Sequence, residues 1–260
     1  MLDDEVAYIK SYSCAVDYCL NSESSSAELD IFIGTEIPDR LKNTNPKLWA
    51  QINLYRNLAK FLIVDSSNKE LYKNYLDQYK TRKEPFNSPV IIIAGGASLM
   101  DKTKTETYRD YFGKMLQGFT GTIISGGTTA GIPGLVGEVK AELEKQSALD
   151  FSLIAYLPKE LPANATKSIA YDSFYETDSD HFSVLEILSY WCDIVSSGIH
   201  PSDIILVGVE GGDIAAMEYR IALSLGAKVK ILANSGRAAS EFLEDKFRKT
   251  HKNLVKILPG

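Results

Sequence analysis

Val90-Ile91-Ile92-Ile93-Ala94-Gly95-Gly96-Ala97-Ser98 is an unbroken apolar run that ends in paired glycines. Val90 to Ala94 is rich in β-branched residues and shows no polar alternation, the pattern of a strand covered on both faces. Helix-like sequence follows at about 102–117. The same grammar returns downstream. Thr122-Ile123-Ile124 runs into Gly126-Gly127-Thr128-Thr129, Ile204 to Val209 into Gly211-Gly212-Asp213, and Lys228 to Ala233 into Asn234-Ser235-Gly236-Arg237. Strands alternating with helices at this spacing predict an α/β fold with a doubly wound parallel sheet. Such a sheet places every one of these turns on one edge, at the carboxyl ends of its strands. Recurrent glycine turns on one edge predict a shared phosphate-binding cleft.

Working outward, helices are expected at about 133–146, 181–196, 213–225 and 237–249, and a strand at Phe151 to Leu157. Asp180 or Ser179 is the expected N-cap of the helix at 181–196. The polar stretch Tyr171 to Asp180 reads as a loop, and Leu254 to Leu258 as a final strand or a docked tail. Residues 1–87 differ in texture and read as an N-terminal α/β attachment to a nucleotide-binding domain at 88–260. Helical patterns fall at roughly 3–20, 47–60 and 69–82. Leu29 to Ile33 and Phe61 to Val64 look β-like, and Arg82 to Ser88, with Pro85 inside it, reads as a linker.

Composition narrows the function classes. The chain of 260 residues is 45% hydrophobic, enough for a sizeable core, and its formal net charge of −6 argues against nucleic acid or an anionic membrane as the main partner. An anionic small ligand remains compatible, because backbone N–H groups at helix starts bind phosphate without net positive charge. Cys14, Cys19 and Cys192 have no framework spacing and read as free thiols of a reducing, cytoplasmic compartment. No apolar run is long enough to span a bilayer, and no cluster suggests a metal or a bound cofactor.

The turns carry the candidate chemistry. In Ser125 to Gly134, Gly126, Gly127, Gly131 and Gly134 exceed what a tight turn needs, and Thr128 and Thr129 offer hydroxyl donors. Gly95, Gly96, Ala97 and Ser98 would let backbone approach a ligand. The pattern Gly-x-Gly-x-x-Gly is absent, which disfavours an ordinary nicotinamide dehydrogenase. After Gly211, Gly212 and Asp213, Glu218 is either a ribose ligand or general acid/base, or a packing carboxylate paired with Arg220. In Ser235-Gly236-Arg237, the arginine fork suits a phosphate. A cation at a helix start is otherwise disfavoured by the dipole. Of the histidines, His181 sits in a loop able to reach over a cleft, whereas His251 reads as solvated in a basic tail.

On the stretches Ser125 to Gly134, Gly211-Gly212 with Glu218, and Ser235 to Ala239, the chain resembles the SLOG superfamily of Rossmann-like nucleotide-binding domains. The likeness covers about 89–257. It is strongest to the lysine-decarboxylase-like branch found at the N-termini of melastatin-type TRP channels and in bacterial defence and signalling proteins. The resemblance implies a homo-oligomeric sensor for an ADP-ribose-type signal, linear or cyclic, that controls an effector or channel outside this chain. The superfamily also includes the Lonely Guy phosphoribohydrolases, whose motif reads Gly-Gly-x-Gly-Thr-x-x-Glu. Gly211, Gly212 and Glu218 match it, but Ile214 and Ala215 replace its second Gly and its Thr. That departure weakens the alternative, a nucleotide N-glycosidase using Glu218.

Overall fold

The computed structural model describes residues 2–21, 41–64, 68–98, 100–245 and 251–258. Its centre is a parallel sheet of seven strands in the order β4-β3-β2-β1-β5-β6-β7. These are β1 (Val90–Gly95), β2 (Thr120–Ser125), β3 (Asp150–Pro158), β4 (Ser173–Thr177), β5 (Ile205–Val209), β6 (Lys228–Leu232) and β7 (Leu254–Ile257). Ile91 of β1 pairs with Ile123 of β2 on one side and Ile205 of β5 on the other.

Successive residues of a strand face opposite sides of the sheet, and the two hydrophobic cores follow that alternation. Ile91 and Ile93 pack with Tyr108, Phe112 and Leu116 of α4 (Lys102–Leu116) and with Leu135 and Val139 of α5 (Gly131–Glu144). Val90, Ile92 and Ala94 belong to the opposite core, with α6 (Val184–Ser196), α7 (Asp213–Ser224) and α8 (Arg237–Glu244). The strand order explains the two layers. From β1 the chain first moves one way along the sheet and later, from β5, the other. Parallel crossovers keep one hand, so reversing direction moves the helices to the other face.

The N-terminal helices α1 (Leu2–Asn21), α2 (Pro46–Ile63) and α3 (Lys69–Leu76) join that second face. Helix α1 packs on α7, and α2 on α6. Ile9, Val16, Leu54 and Leu58 are fully buried in the same core as Ile92. The expected strand at Leu29 to Ile33 lies outside the described residues.

Several local expectations are corrected. Phe61 to Val64 is not a strand. Phe61 to Ile63 end α2, and Val64 caps that helix in an extended conformation. The apolar stripe of Leu48, Ile52, Tyr55 and Ala59 buries one helical face, and that gain overrides the β preference of the last residues. Within the expected loop 171–180, β4 pairs in parallel with β3 from Ser173 to Thr177. It is an edge strand, which explains its polar look. The N-cap of α6 is Ser183, in a capping box with Glu186. Helix α8 stops at Glu244, with Asp245 extended. His251 is mostly buried, with Nε2 2.8 Å from Asp17 Oδ1 and Nδ1 accepting from the Asn253 N–H at 3.1 Å. The tail is thus tied to α1.

Candidate functional site

The reversal of strand order falls between β1 and β5. Beyond their carboxyl ends the two strands diverge into connections on opposite faces, which opens a crevice. A cavity of about 350 Å³ occupies it. Its mouth is built by Gly95, Gly96, Ala97 and Ser98 after β1, Gly126 and Thr128 after β2, and Gly212 and Asp213 at the start of α7. Arg237 also lines it. These ten residues, counting Glu218 deeper inside, are the predicted positions that the fold brings together on one cavity.

Arg237 reaches the mouth from an unusual backbone. Its φ is 52, between Gly236 at φ 92 and the buried Ala238. The guanidinium donates to Ser98 Oγ at 2.7 Å. It lies over two glycines: a Cβ on Gly96 would sit 3.3 Å from one terminal nitrogen, and one on Gly212 would sit 3.6 Å from the other. Here the missing side chains leave room for the planar fork.

Other glycines serve the chain itself. A Cβ on Gly131 would fall 2.2 Å from the Gly96 carbonyl oxygen, and one on Gly134 would fall 2.1 Å from that of Thr129. One on Gly127 would fall 2.5 Å from the Ala155 Cβ. Much of the backbone here is engaged internally. The Ile132 N–H donates to Gly96 O at 2.9 Å, Pro133 has no N–H, and Ala238 and Ala239 donate to Gly211 O and Glu210 O. The N-termini of α5 and α8 therefore offer few free donors. Gly127, Thr129, Gly131, Gly134, Gly211, Ser235, Gly236 and His181 stand outside the cavity lining. Ser235 is buried and donates its hydroxyl to Leu232 O while accepting from the Glu210 N–H. His181 is exposed, and its neighbours Phe182 and Ser183 line the cavity instead. Thr128 differs: it is buried, it lines the cavity, and its hydroxyl has no partner among the described residues.

Apart from Glu218, the interior is made of side chains that no sequence motif singled out. Tyr156 of β3 and Glu186, Ile187 and Tyr190 of α6 form its wall with Ile214, Ala215 and Glu218 of α7. Glu186 and Tyr190 lie four residues apart on one helical face, the one available sequence signal. The Tyr190 hydroxyl donates to Glu218 Oε1 at 2.9 Å. Glu218 faces the cavity but is otherwise enclosed by protein, and this desolvation pushes its pKa up to about 7. Tyr190 is raised well above its ordinary value by burial and by Glu218. Glu186 is also raised by burial, against hydrogen bonds from Thr177 and Ser183. The expected partner Arg220 points elsewhere, donating to Ala216 O at 3.0 Å.

Behind this wall a buried network reaches the N-terminal segment. The Tyr156 hydroxyl donates to Asp193 Oδ2 at 2.6 Å, and Asp193 also accepts from the Thr81 hydroxyl and the Thr81 and Arg82 N–H groups. Arg82 stacks on Tyr175, 4.9 Å from its ring centre, and donates to its hydroxyl at 2.8 Å. The expected linker is docked against the back of the cavity wall. Among the described residues no helix is long and apolar enough to cross a membrane, and no acidic, His and Cys cluster could hold a metal ion.

Neither the models of known protein families nor the curated proteins match this sequence. Among solved structures, the X-ray structure of TM1055, a Northeast Structural Genomics Consortium target, is similar at 14% identity and a TM-score of 0.42, covering 65% of this chain and 91% of that one. The Moco carrier protein from Chlamydomonas reinhardtii is similar at 18% identity and a TM-score of 0.43, over 65% of this chain and 88% of that one. Likenesses this distant assign no activity. By its own strand order and its two helix layers, the chain is a Rossmann-like α/β protein.

Proposed function

We propose that this cleft binds a nucleotide of ADP-ribose type and that the chain is a sensor for that signal. The observation that carries the reading is Arg237, a cationic fork lying over Gly96 and Gly212 at the mouth of a cavity with an aromatic interior. A guanidinium fork suits phosphate oxygens. The Tyr156 and Tyr190 wall suits a base or sugar face, and the unpartnered Thr128 hydroxyl suits a polar ligand atom. Ionised Glu218 would accept hydrogen bonds from a ribose diol. At about 350 Å³ the cavity lies at the low end of small-molecule sites. One nucleoside half would enter, and the rest would run along the glycine mouth. The resemblance to SLOG sensors supports the same reading, with the output in an oligomer interface or an effector beyond this chain.

The test is calorimetric titration and thermal unfolding with ADP-ribose, cyclic ADP-ribose, NAD, AMP and ATP. A ligand at about 100 times its Kd adds about 2.7 kcal/mol of stability. ADP-ribose-like compounds should stabilise the protein, and Arg237→Met should weaken their binding at least tenfold (order of magnitude for a charge-assisted pair). No binding of any of the panel rejects the proposal. A second reading, base-releasing hydrolysis, is favoured by Glu218 alone: a carboxyl poised near neutrality beside Tyr190 suits general acid/base work. Slow base release from AMP, lost in Glu218→Gln, would establish it.

A further inference from the structure

Arg237 is not alone in its strained backbone. Among the described residues, the non-glycine residues with left-handed φ are Glu210 at 54, Asn234 at 60 and Arg237 at 52. All belong to the turns after β5 and β6 that frame the cleft mouth. Side chains rarely adopt this region, and such residues persist only where their surroundings hold them. Asn tolerates it better than most. For Glu210 the surroundings are explicit, because each of its polar groups is engaged. Its N–H donates to Ser235 Oγ at 3.1 Å. Its carbonyl accepts from the Ala239 N–H at 2.9 Å and the Tyr219 hydroxyl at 3.3 Å. Its carboxylate, nearly buried, meets Lys104 Nζ at 3.0 Å and the Tyr108 hydroxyl at 3.4 Å.

Lys104 comes from α4, on the other face of the sheet from α7 and α8. Its ammonium also donates to the Ser235 carbonyl at 3.3 Å, and it lies 3.9 Å from where a Gly236 Cβ would be. One cation thus bridges the turn that leads into Gly211 and Gly212 and the turn that leads into Arg237. Both flank the cavity, yet Lys104 itself does not line it.

We infer that Lys104 is a positioning residue for the anion-binding side of the cleft: by neutralising Glu210 and tying it to the Ser235 turn, it holds the platform from which Arg237 meets ligand phosphate. The proposal rests on the reading of the cleft as a nucleotide site. Without the ammonium, Glu210 is a nearly buried carboxylate with only a tyrosine hydroxyl as side-chain donor. A buried charge that loses its partner is strongly unfavourable. Glu210 would turn toward water, and its backbone bonds to Ser235 and Ala239 would be lost with it.

The experiment is titration with ADP-ribose of the wild type, Lys104→Met, Lys104→Arg, and the double variant Lys104→Met/Glu210→Gln, alongside amide exchange at Gly211 and Gly212 in the ligand-free protein. Lys104→Met should weaken binding about tenfold and speed that exchange. Lys104→Arg should recover most of the affinity, and so should the double variant, since a neutral glutamine needs no cation. Wild-type affinity and wild-type exchange in Lys104→Met overturn the proposal. So does a double variant as weak as the single one, which would make Lys104 a direct ligand contact. If the wild type itself binds no ADP-ribose, the nucleotide reading fails. The clamp is then decided by exchange alone: faster in Lys104→Met and restored in the double variant supports it, and unchanged in Lys104→Met rejects it.

Discussion

The mouth and the interior of the cleft are built on different principles. The mouth is backbone: glycine turns after β1, β2, β5 and β6 brought to one sheet edge by parallel topology. The interior is side chains, with Tyr156, Glu186, Tyr190 and Glu218 converging from β3, α6 and α7. In the mouth many polar groups already satisfy one another. Gly96 O takes the Ile132 N–H, and Glu210 O takes that of Ala239. On the proposed reading, recognition there would fall to Arg237 and to hydroxyls more than to the N-termini of α5 and α8, whose N–H groups are engaged. In the interior the polar groups are under-solvated, and their protonation is displaced. The comparison teaches that glycine density marks where chain segments must pass close together, and only secondarily where a ligand sits.

The strongest way to break the comparison is at a glycine whose role is purely steric. Gly134→Ala would drive a Cβ to within 2.1 Å of the Thr129 carbonyl oxygen, a backbone atom that cannot swing aside. A loss of about 3 kcal/mol in chemical denaturation is expected, at the upper end of overpacking costs, with ligand binding lost because the mouth is rebuilt. A wild-type denaturation midpoint would mean that the turn is softer than its contacts indicate.

The next effect belongs to the interior and has the opposite sign. Glu218 has an ordinary value of 4.5 and is held up to about 7 in the folded protein. The folded state therefore keeps a proton that the unfolded chain releases. The resulting penalty is absent below about pH 4.5, grows as pH rises toward 7 and is complete above it. Glu218→Gln removes it and should gain roughly 2 kcal/mol at pH 8, from about 1.4 kcal/mol for each tenfold change in proton affinity, less an allowance for cavity water. At pH 4.5 the gain should vanish. A pH-independent effect would mean that Glu218 is better solvated than its enclosure implies. Stability lost to keep a carboxyl in a cavity is a common mark of a functional site.

The smallest expected stability effect sharpens the contrast. A Cβ on Gly212 would meet only the Arg237 guanidinium, at an ordinary 3.6 Å. Gly212→Ala should change stability by less than about 0.5 kcal/mol, as surface substitutions do, yet put a methyl group on the cavity lining beside the guanidinium and weaken nucleotide binding. If stability falls and binding persists, Gly212 belongs with Gly134 as a structural glycine.

Legibility differed along the same divide. The apolar runs of β1, β3 and β5 announced themselves because strands covered on both faces need largely apolar sequence, and the shorter apolar stretches of β2 and β6 by the glycine-bearing turns that follow them. The edge strand β4 did not, since Phe174 packs toward one core and Tyr175 toward the other while Glu176 is exposed. Its composition is that of a loop. The end of α2 reads as a strand because Phe61 and Ile63 are β-formers, and their helical state depends on a stripe that begins at Leu48. Arg237 was visible as a cation at a disfavoured helix start, and Glu218 by its place in the early turns of the helix that follows Gly212. Tyr156 and Lys104 carried no local signal, and Tyr190 only its four-residue spacing from Glu186.

By itself, the sequence determined the alternation of strand and helix, and with it a parallel sheet whose turns share one edge. Those properties follow from short-range periodicity and from what glycine alone permits. Only the tertiary structure decided which glycines face the cavity and which merely let Thr129, Ala155 and Gly96 approach. It alone paired Glu218 with Tyr190 and Glu210 with Lys104, across separations of 28 and 106 residues. Burial and pairing of that kind depend on where strands order themselves in the sheet, and no local stretch of chain encodes it.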